Sequence, residues 1–195
     1  AYGHTGPWRA YGARARTVDA VCGLSFLTGY AGGEAIRASS NYMDHTGGLN
    51  VAYALLLALY RRRKAGKGAR IDLSMYETGV SCIAPAILEV QRGITRPRLC
   101  TTHPWKAPYN IYPCLGDDRW IAMTVSTDAE WQRLRALLGE PPWAMDSRFD
   151  TVTGRWEHRG ELDEHIGLWT ATHDSETLTH LLQARGVPAG AVLTA

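Results

Sequence analysis

The chain has 195 residues, a formal net charge of +2, and 45% hydrophobic against 21% charged residues. That composition supports a normal buried core and excludes a disordered chain, while so small a charge argues against nucleic acid as the main partner. No apolar run reaches the ~18 residues of a bilayer span; the best candidate, VAYALLLALY at 51–60, is shorter and ends in RRRK, and residues 1–20 have no signal-like hydrophobic stretch.

Residues 3–12 are punctuated by Gly3, Gly6, Pro7 and Gly12 and read as turns. A helix is predicted over 16–28, with Val18, Val21, Cys22 and Leu24 on neighbouring turns, and GYAGGE at 29–34 breaks it. The strongest helix runs from Asp44 to about Lys64. Its apolar side chains occupy nearly every face, which predicts a largely buried helix. Gly66 and Gly68 suit a left-handed C-terminal cap, and Arg61–Lys64 complement the negative end of the helix dipole. RIDLSM at 70–75 alternates like a strand, and 76–92 reads as another helix. Residues 93–108, with two prolines and no period, read as a linker or ordered loop.

The second half changes character. YNIYPCL and RWIAMTV flank Gly116-Asp117-Asp118, a hairpin pattern. An amphipathic helix is predicted over 128–138, capped by Thr127 or Asp128. Residues 139–151 read as a loop with one short turn. Helices follow over 157–171 and 175–185, the second capped by Ser175, and GVPAGAVLT closes with a strand. The outline is α/β over 1–92, a linker over 93–106 and α+β over 107–195. The chain opens without Met at a Gly/Pro turn and stops in a strand, so we expect a piece of a longer protein.

The four cysteines, Cys22, Cys82, Cys100 and Cys114, form no C-x-x-C pair. They read as buried free thiols of a reducing compartment, which places the protein in the cytoplasm. The histidine pairs His158/His165 and His173/His180 are seven apart, lack the i, i+4 spacing of a helical zinc site, and read as surface residues; no metal site is expected. RRRKAGKGAR sits at a helix C-terminus, where the dipole disfavours anions, and reads as a solvated helix end. No G-x-G-x-x-G or G-x-S-x-G motif is present.

Asp44 remains. An Asp just before a helix is ordinarily an N-cap, accepting from the backbone N–H of Gly47 or a neighbour. The same geometry also suits chemistry. A helix N-terminus stabilises an anion, Gly47 and Gly48 bring no side chain, and a carboxylate so placed can attack an activated acyl group to form a mixed anhydride. Local physics alone leaves both readings open.

The combination of YGHTGPW, CGLSFLTGY, and the run YMDHTGGLNVAYALLLALYRRRKAGKGARIDLSMYE resembles the class III CoA-transferases of the formyl-CoA and carnitine type. HPWKAPYNIYPCLGDDRWIAMTV, DAEWQRL and GVPAGAVLT resemble the smaller domain of the same family, so the likeness covers essentially the whole chain. The resemblance implies a Rossmann-like large α/β domain, of which 1–92 is a part, an active-site loop within 93–106, and the small α+β domain over 107–195. It implies that Asp44 is the nucleophile of a ping-pong transfer between an acyl-CoA and a carboxylic acid. Coenzyme A is then a substrate, and no other cofactor is needed. Met75 matches a position lining the CoA site. His103, Trp105 and Lys106 fall in a loop that covers the active site in relatives, and Tyr42 and His45 flank the nucleophile. The family assembles as an interlocked homodimer, which the full-length protein would share. It also works without nucleic acid or membrane.

Two alternatives stand beside this. The related α-methylacyl-CoA racemases use a His, an Asp and a Glu for proton transfer. Here the matching positions are Arg14, Asp44 and Thr127, and a guanidinium that stays protonated is a poor base. The other alternative is a non-catalytic remnant serving as a binding or structural chain, since the family's long N-terminal section and C-terminal return segment lie outside these residues.

Overall fold

A computed structural model describes all residues except 39, 40, 194 and 195. The chain divides into two compact units, Ala1–Cys100 and Thr101–Ala195.

The first unit carries five helices and, among the described residues, no strand. The helix predicted over 16–28 is two, α1 (Ala15–Val21) and α2 (Leu24–Leu27). They are split at Gly23, whose φ of 95° is a left-handed conformation that ends a right-handed helix. The strong helix is α3 (Tyr42–Ala65), closed by Gly66 at φ 68° with its N–H on the Arg62 carbonyl at 2.8 Å. Gly66 alone makes the cap; Gly68 is not in the left-handed region.

The expectation that this helix is largely buried does not hold. Only Met43 and Gly47 are buried. Leu49, Tyr53, Leu56 and Tyr60, which share one face of the helix, each remain more than half exposed. The N-terminal end packs on neighbours from α1 and from α4 (Met75–Cys82), and the remaining apolar sides meet no covering element among the described residues.

The strand expected at 70–75 is also absent. Residues 67–74 are irregular, because alternation makes a strand only where a second strand offers a ladder. The segment is instead tied to the start of the chain: Asp72 Oδ2 accepts the His4 N–H at 3.1 Å, and Tyr76 N–H donates to the Ala1 carbonyl at 3.1 Å. Ser74 caps α4 by accepting the Glu77 N–H. The single helix predicted over 76–92 breaks at Ile83 into α4 and α5 (Ala84–Gln91), with Pro85 in the first turn of α5, where a missing N–H costs nothing. Ala15, Val18, Cys22 and Met43 form the small core. Gly79 lets α1 and α4 meet: a Cβ there would stand 2.7 Å from Cys22 Sγ.

The second unit is a three-stranded antiparallel sheet covered by helices. β1 (Tyr109–Pro113) pairs with β2 (Trp120–Thr124) in the register Tyr109↔Thr124 to Pro113↔Trp120. β3 (Ala189–Ala191) returns to the free edge of β2. The hairpin turn has Gly116 at φ 109° and Asp118 at φ 48°, as its Gly-Asp-Asp sequence suits. α6 (Asp128–Leu137) opens with a reciprocal capping box between Thr127 and Glu130.

Residues 139–151 hold two 3-10 turns, Pro142–Met145 and Ser147–Phe149. The helix expected from 157 is preceded by α7 (Val152–Glu157), which the sequence pattern did not announce, and then runs as α8 (Arg159–Thr170). α9 (Ser175–Ala184) is capped by Asp174, which accepts the Thr177 N–H at 2.9 Å, and not by Ser175, which is buried one residue later. The core joins Tyr112, Ile121 and Met123 of the sheet to Trp131, Phe149, Leu162 and Leu178.

Two smaller expectations are corrected. Cys22 and Cys114 are buried free thiols, but Cys82 and Cys100 are exposed. His165 is half-buried and lies flat on the Trp143 ring at 4.5 Å, so it is not a plain surface residue.

Candidate active site

Asp44 stands in the first turn of α3, as its third residue. It is therefore not the N-cap. Asn41 holds that position and makes no side-chain cap bond. With the helix beginning at Tyr42, the Gly47 N–H belongs to the i→i−4 ladder and is not available to Asp44. The Asp44 side chain is exposed and has no hydrogen bond or ion pair among the described residues. It lies where the orphan N–H groups of the first turn and the positive end of the dipole favour an anion.

On a helix, residues three and four apart share a face, which puts Gly47 and Gly48 beside Asp44. Their glycines matter for different reasons. A Cβ on Gly47 would meet Met75 Cγ at 3.1 Å, whereas a Cβ on Gly48 would meet nothing within 4 Å. Met75 is the first residue of α4 and is half-buried. The structure thus brings Asp44, Gly47 and Met75 to one region of the first unit. Tyr42 and His45 flank Asp44 and are exposed. The GHTGP segment is also folded against α4, where Tyr2, Trp8 and Tyr76 pack ring on ring at 5.3–6.0 Å.

Behind this turn lies a residue that sequence reading passed over. Asp19 of α1 is fully buried, and neither carboxylate oxygen has a partner in hydrogen-bond geometry among the described residues. Burial pushes its carboxyl above the usual range; the Met43 backbone N–H and Arg37 oppose that push, and the charge of Asp44 adds to it. A signal was present in the sequence: one acid inside the apolar run of VDAVC.

His103, Trp105 and Lys106 lie in the second unit. The His103 ring packs edge-on against Trp105 at 4.6 Å and tilted on Tyr109 at 4.9 Å. Trp105 is 57% exposed, and Lys106 is half-buried with no ion pair among the described residues. Two residues of α7, also missed from sequence, hold this loop. Arg155 Nε donates to the Ala107 carbonyl at 3.1 Å, and Trp156 Nε1 donates to the His103 carbonyl at 3.2 Å. No group of three His, Cys, Asp or Glu side chains able to hold a metal occurs among the described residues, and no described helix is long and apolar enough to cross a membrane.

The family model for CoA-transferase family III matches residues 1–195. The chain is 32% identical over 195 residues, 100% of its length, to the succinyl-CoA–D-citramalate CoA-transferase of Chloroflexus aurantiacus, and covers 48% of that protein. It is 32% identical to an acyl-CoA transferase of Fusarium pseudograminearum, covering 98% of this chain and 42% of that one. Among solved structures, a CAIB/BAIF family protein from Brucella suis superposes with a TM-score of 0.84 at 27% identity, over 99% of this chain and 51% of that one. The chain therefore spans about half the length of the relatives it matches.

Proposed function

Because the chain belongs to CoA-transferase family III, we propose that the protein containing it moves coenzyme A from an acyl-CoA to a carboxylic acid through a covalent intermediate on Asp44. The observation that supports this best is Asp44 itself: an exposed, unengaged carboxylate in the first turn of α3, with two glycines on its face.

The Asp44 carboxylate attacks the thioester carbon of the donor. The C–S bond breaks and CoA leaves as thiolate, giving an acyl-aspartyl anhydride. The thiolate then attacks the aspartyl carbonyl and expels the donor acid, leaving an aspartyl-CoA thioester. An acceptor carboxylate displaces CoA thiolate from that thioester, forming a second anhydride. The thiolate attacks the acceptor acyl carbon, which releases the new acyl-CoA and the free Asp44 carboxylate. Every nucleophile and leaving group is an anion, so no net proton is moved. What the protein must supply is stabilisation of tetrahedral oxyanions and exclusion of water from the anhydrides. The first turn of α3 suits the former.

In this reading Met75 lines the CoA site, Tyr42 and His45 border the nucleophile, and His103, Trp105 and Lys106 contact the acid, with the Lys106 ammonium a natural partner for a carboxylate. Coenzyme A is substrate, no other cofactor takes part, and the protein works in the cytoplasm as a homodimer. Relatives whose names pair succinyl-CoA with an organic acid make succinyl-CoA the first donor to try, with a panel of acids as acceptors.

The test is chemical. Full-length protein is incubated with succinyl-CoA and quenched with hydroxylamine, and the peptide holding Asp44 is read by mass spectrometry. A hydroxamate on Asp44, absent in Asp44→Ala together with transferase activity, is expected. An unmodified peptide, with activity intact in Asp44→Ala, would sink the reading.

A further inference from the structure

We propose that Arg155 and Trp156 are positioning residues, a two-point clamp that fixes the loop 103–107 in the shape that meets the acid substrate. The inference rests on the reading of that loop as a substrate contact.

The geometry is specific. Two consecutive residues of α7 donate to carbonyls four residues apart, Trp156 Nε1 to His103 at one end of the loop and Arg155 Nε to Ala107 at the other. The stretch between the anchors carries Trp105, mostly exposed, and Lys106. A connecting loop needs no such device; loops at the surface ordinarily satisfy their carbonyls with water.

The anchor is also unusually costly. Arg155 is fully buried, and burying a guanidinium is unfavourable unless its donors are met. They are met from three separate segments: Ala107 of the loop, the Phe149 carbonyl at 2.9 Å, and Asp128 Oδ1 of α6 at 2.9 Å. The guanidinium also lies over the Trp131 ring at 5.5 Å. α7 is itself held close, since a Cβ on Gly154 would come within 2.1 Å of the Arg148 carbonyl oxygen. The loop backbone is thus tied to the hydrophobic core of the second unit, while its middle projects.

The experiment uses the full-length protein with succinyl-CoA and the acid that the acceptor screen selects. Trp156→Phe keeps an aromatic side chain but deletes the N–H together with part of the indole, which also packs under Arg159. It should raise the KM for the acid about three- to tenfold, the worth of one neutral hydrogen bond, with kcat and the hydroxylamine-trapped yield at Asp44 little changed. A merely structural role would move the melting temperature and leave KM alone. Arg155→Lys, which loses the planar fork, should raise KM further; because it risks the fold, Trp156→Phe carries the test. Trp105→Ala and Lys106→Ala report on the loop itself. If they raise KM and Trp156→Phe does not, the clamp is overturned while the loop reading stands. If neither loop variant changes KM, the loop is no substrate contact and the clamp falls with it.

Discussion

Gly47 and Met75 are in direct contact across α3 and α4: a Cβ on Gly47 would stand 3.1 Å from Met75 Cγ, closer than side chains ordinarily pack. Gly48, one residue on, faces open space. The two glycines should therefore separate packing from access. Gly47→Ala forces the Met75 side chain to give way by a few tenths of an ångström. It should cost about 1 kcal/mol, because overpacking offsets the better helix propensity of Ala, and should weaken CoA binding if Met75 lines that site. Gly48→Ala should stabilise α3 by about 0.5–1 kcal/mol and yet lower kcat/KM, because its methyl group stands on the Asp44 face. Urea unfolding and steady-state kinetics on both variants check this. Equal activity in Gly48→Ala and wild type would show that close approach at that face is not needed.

Asp44→Asn tests whether the carboxylate is held for the fold or for chemistry. Asp44 makes no side-chain hydrogen bond among the described residues. What stability is lost is the favourable placing of an anion at a helix N-terminus, about 0.3–1 kcal/mol at low salt and less at high salt. Transferase activity should disappear altogether. The measurement pairs melting curves at low and high salt with activity; a large, salt-independent loss of stability would make Asp44 a structural residue.

The elements that sequence announced well are those fixed by local chemistry. The hairpin at Gly116–Asp118, the Thr127 cap of α6 and the Gly66 terminus of α3 each depend on side chains within a few residues. The misreadings share another cause. RIDLSM has the alternation of a strand, but whether it becomes one depends on a partner strand, and none stands beside it among the described residues. The apolar faces of α3 require covering elements that these residues do not include. Asp44 and its two glycines stood out as a candidate in the sequence because the motif is contiguous. Asp19, Arg155 and Trp156 were not, because what distinguishes them is burial and contact with carbonyls about fifty residues away in the case of the last two.

Gly79 illustrates how a residue that looks unfavourable in a helix is required there. It lies inside α4, where Ala would ordinarily be worth about 1 kcal/mol more. Yet a Cβ would meet Cys22 Sγ at 2.7 Å and Cys22 Cβ at 2.9 Å. Gly79→Ala should therefore destabilise the first unit by about 1–3 kcal/mol, the usual cost of overpacking. Gly160→Ala in α8, where a Cβ meets nothing within 4 Å, should be neutral or stabilising. Chemical denaturation of the two variants side by side gives the comparison; equal behaviour would mean that α1 and α4 can part without loss.

Asp19 makes a prediction about pH. Burial raises its carboxyl above the usual value of 3.8, against the pull of the Met43 N–H and Arg37, and the charge of Asp44 adds to the rise. Between the usual value and the raised one, the folded protein keeps a proton that the unfolded chain has given up. Stability from this group is therefore greatest below pH 3.8 and falls as pH rises through the folded value. Asp19→Asn keeps the shape and removes the titration. Relative to wild type, the variant should gain stability as pH rises, and the difference should level off once Asp19 is ionised in both states. Asp44→Asn should shift the same transition to lower pH by removing the repulsion. Unfolding midpoints of wild type and the two variants between pH 4 and pH 8 decide the matter. If Asp19→Asn is instead less stable than wild type by an amount that does not change across this range, Asp19 is held as an anion by a positive partner, with Arg37 the first candidate, and its burial behind Asp44 serves to anchor the start of α3.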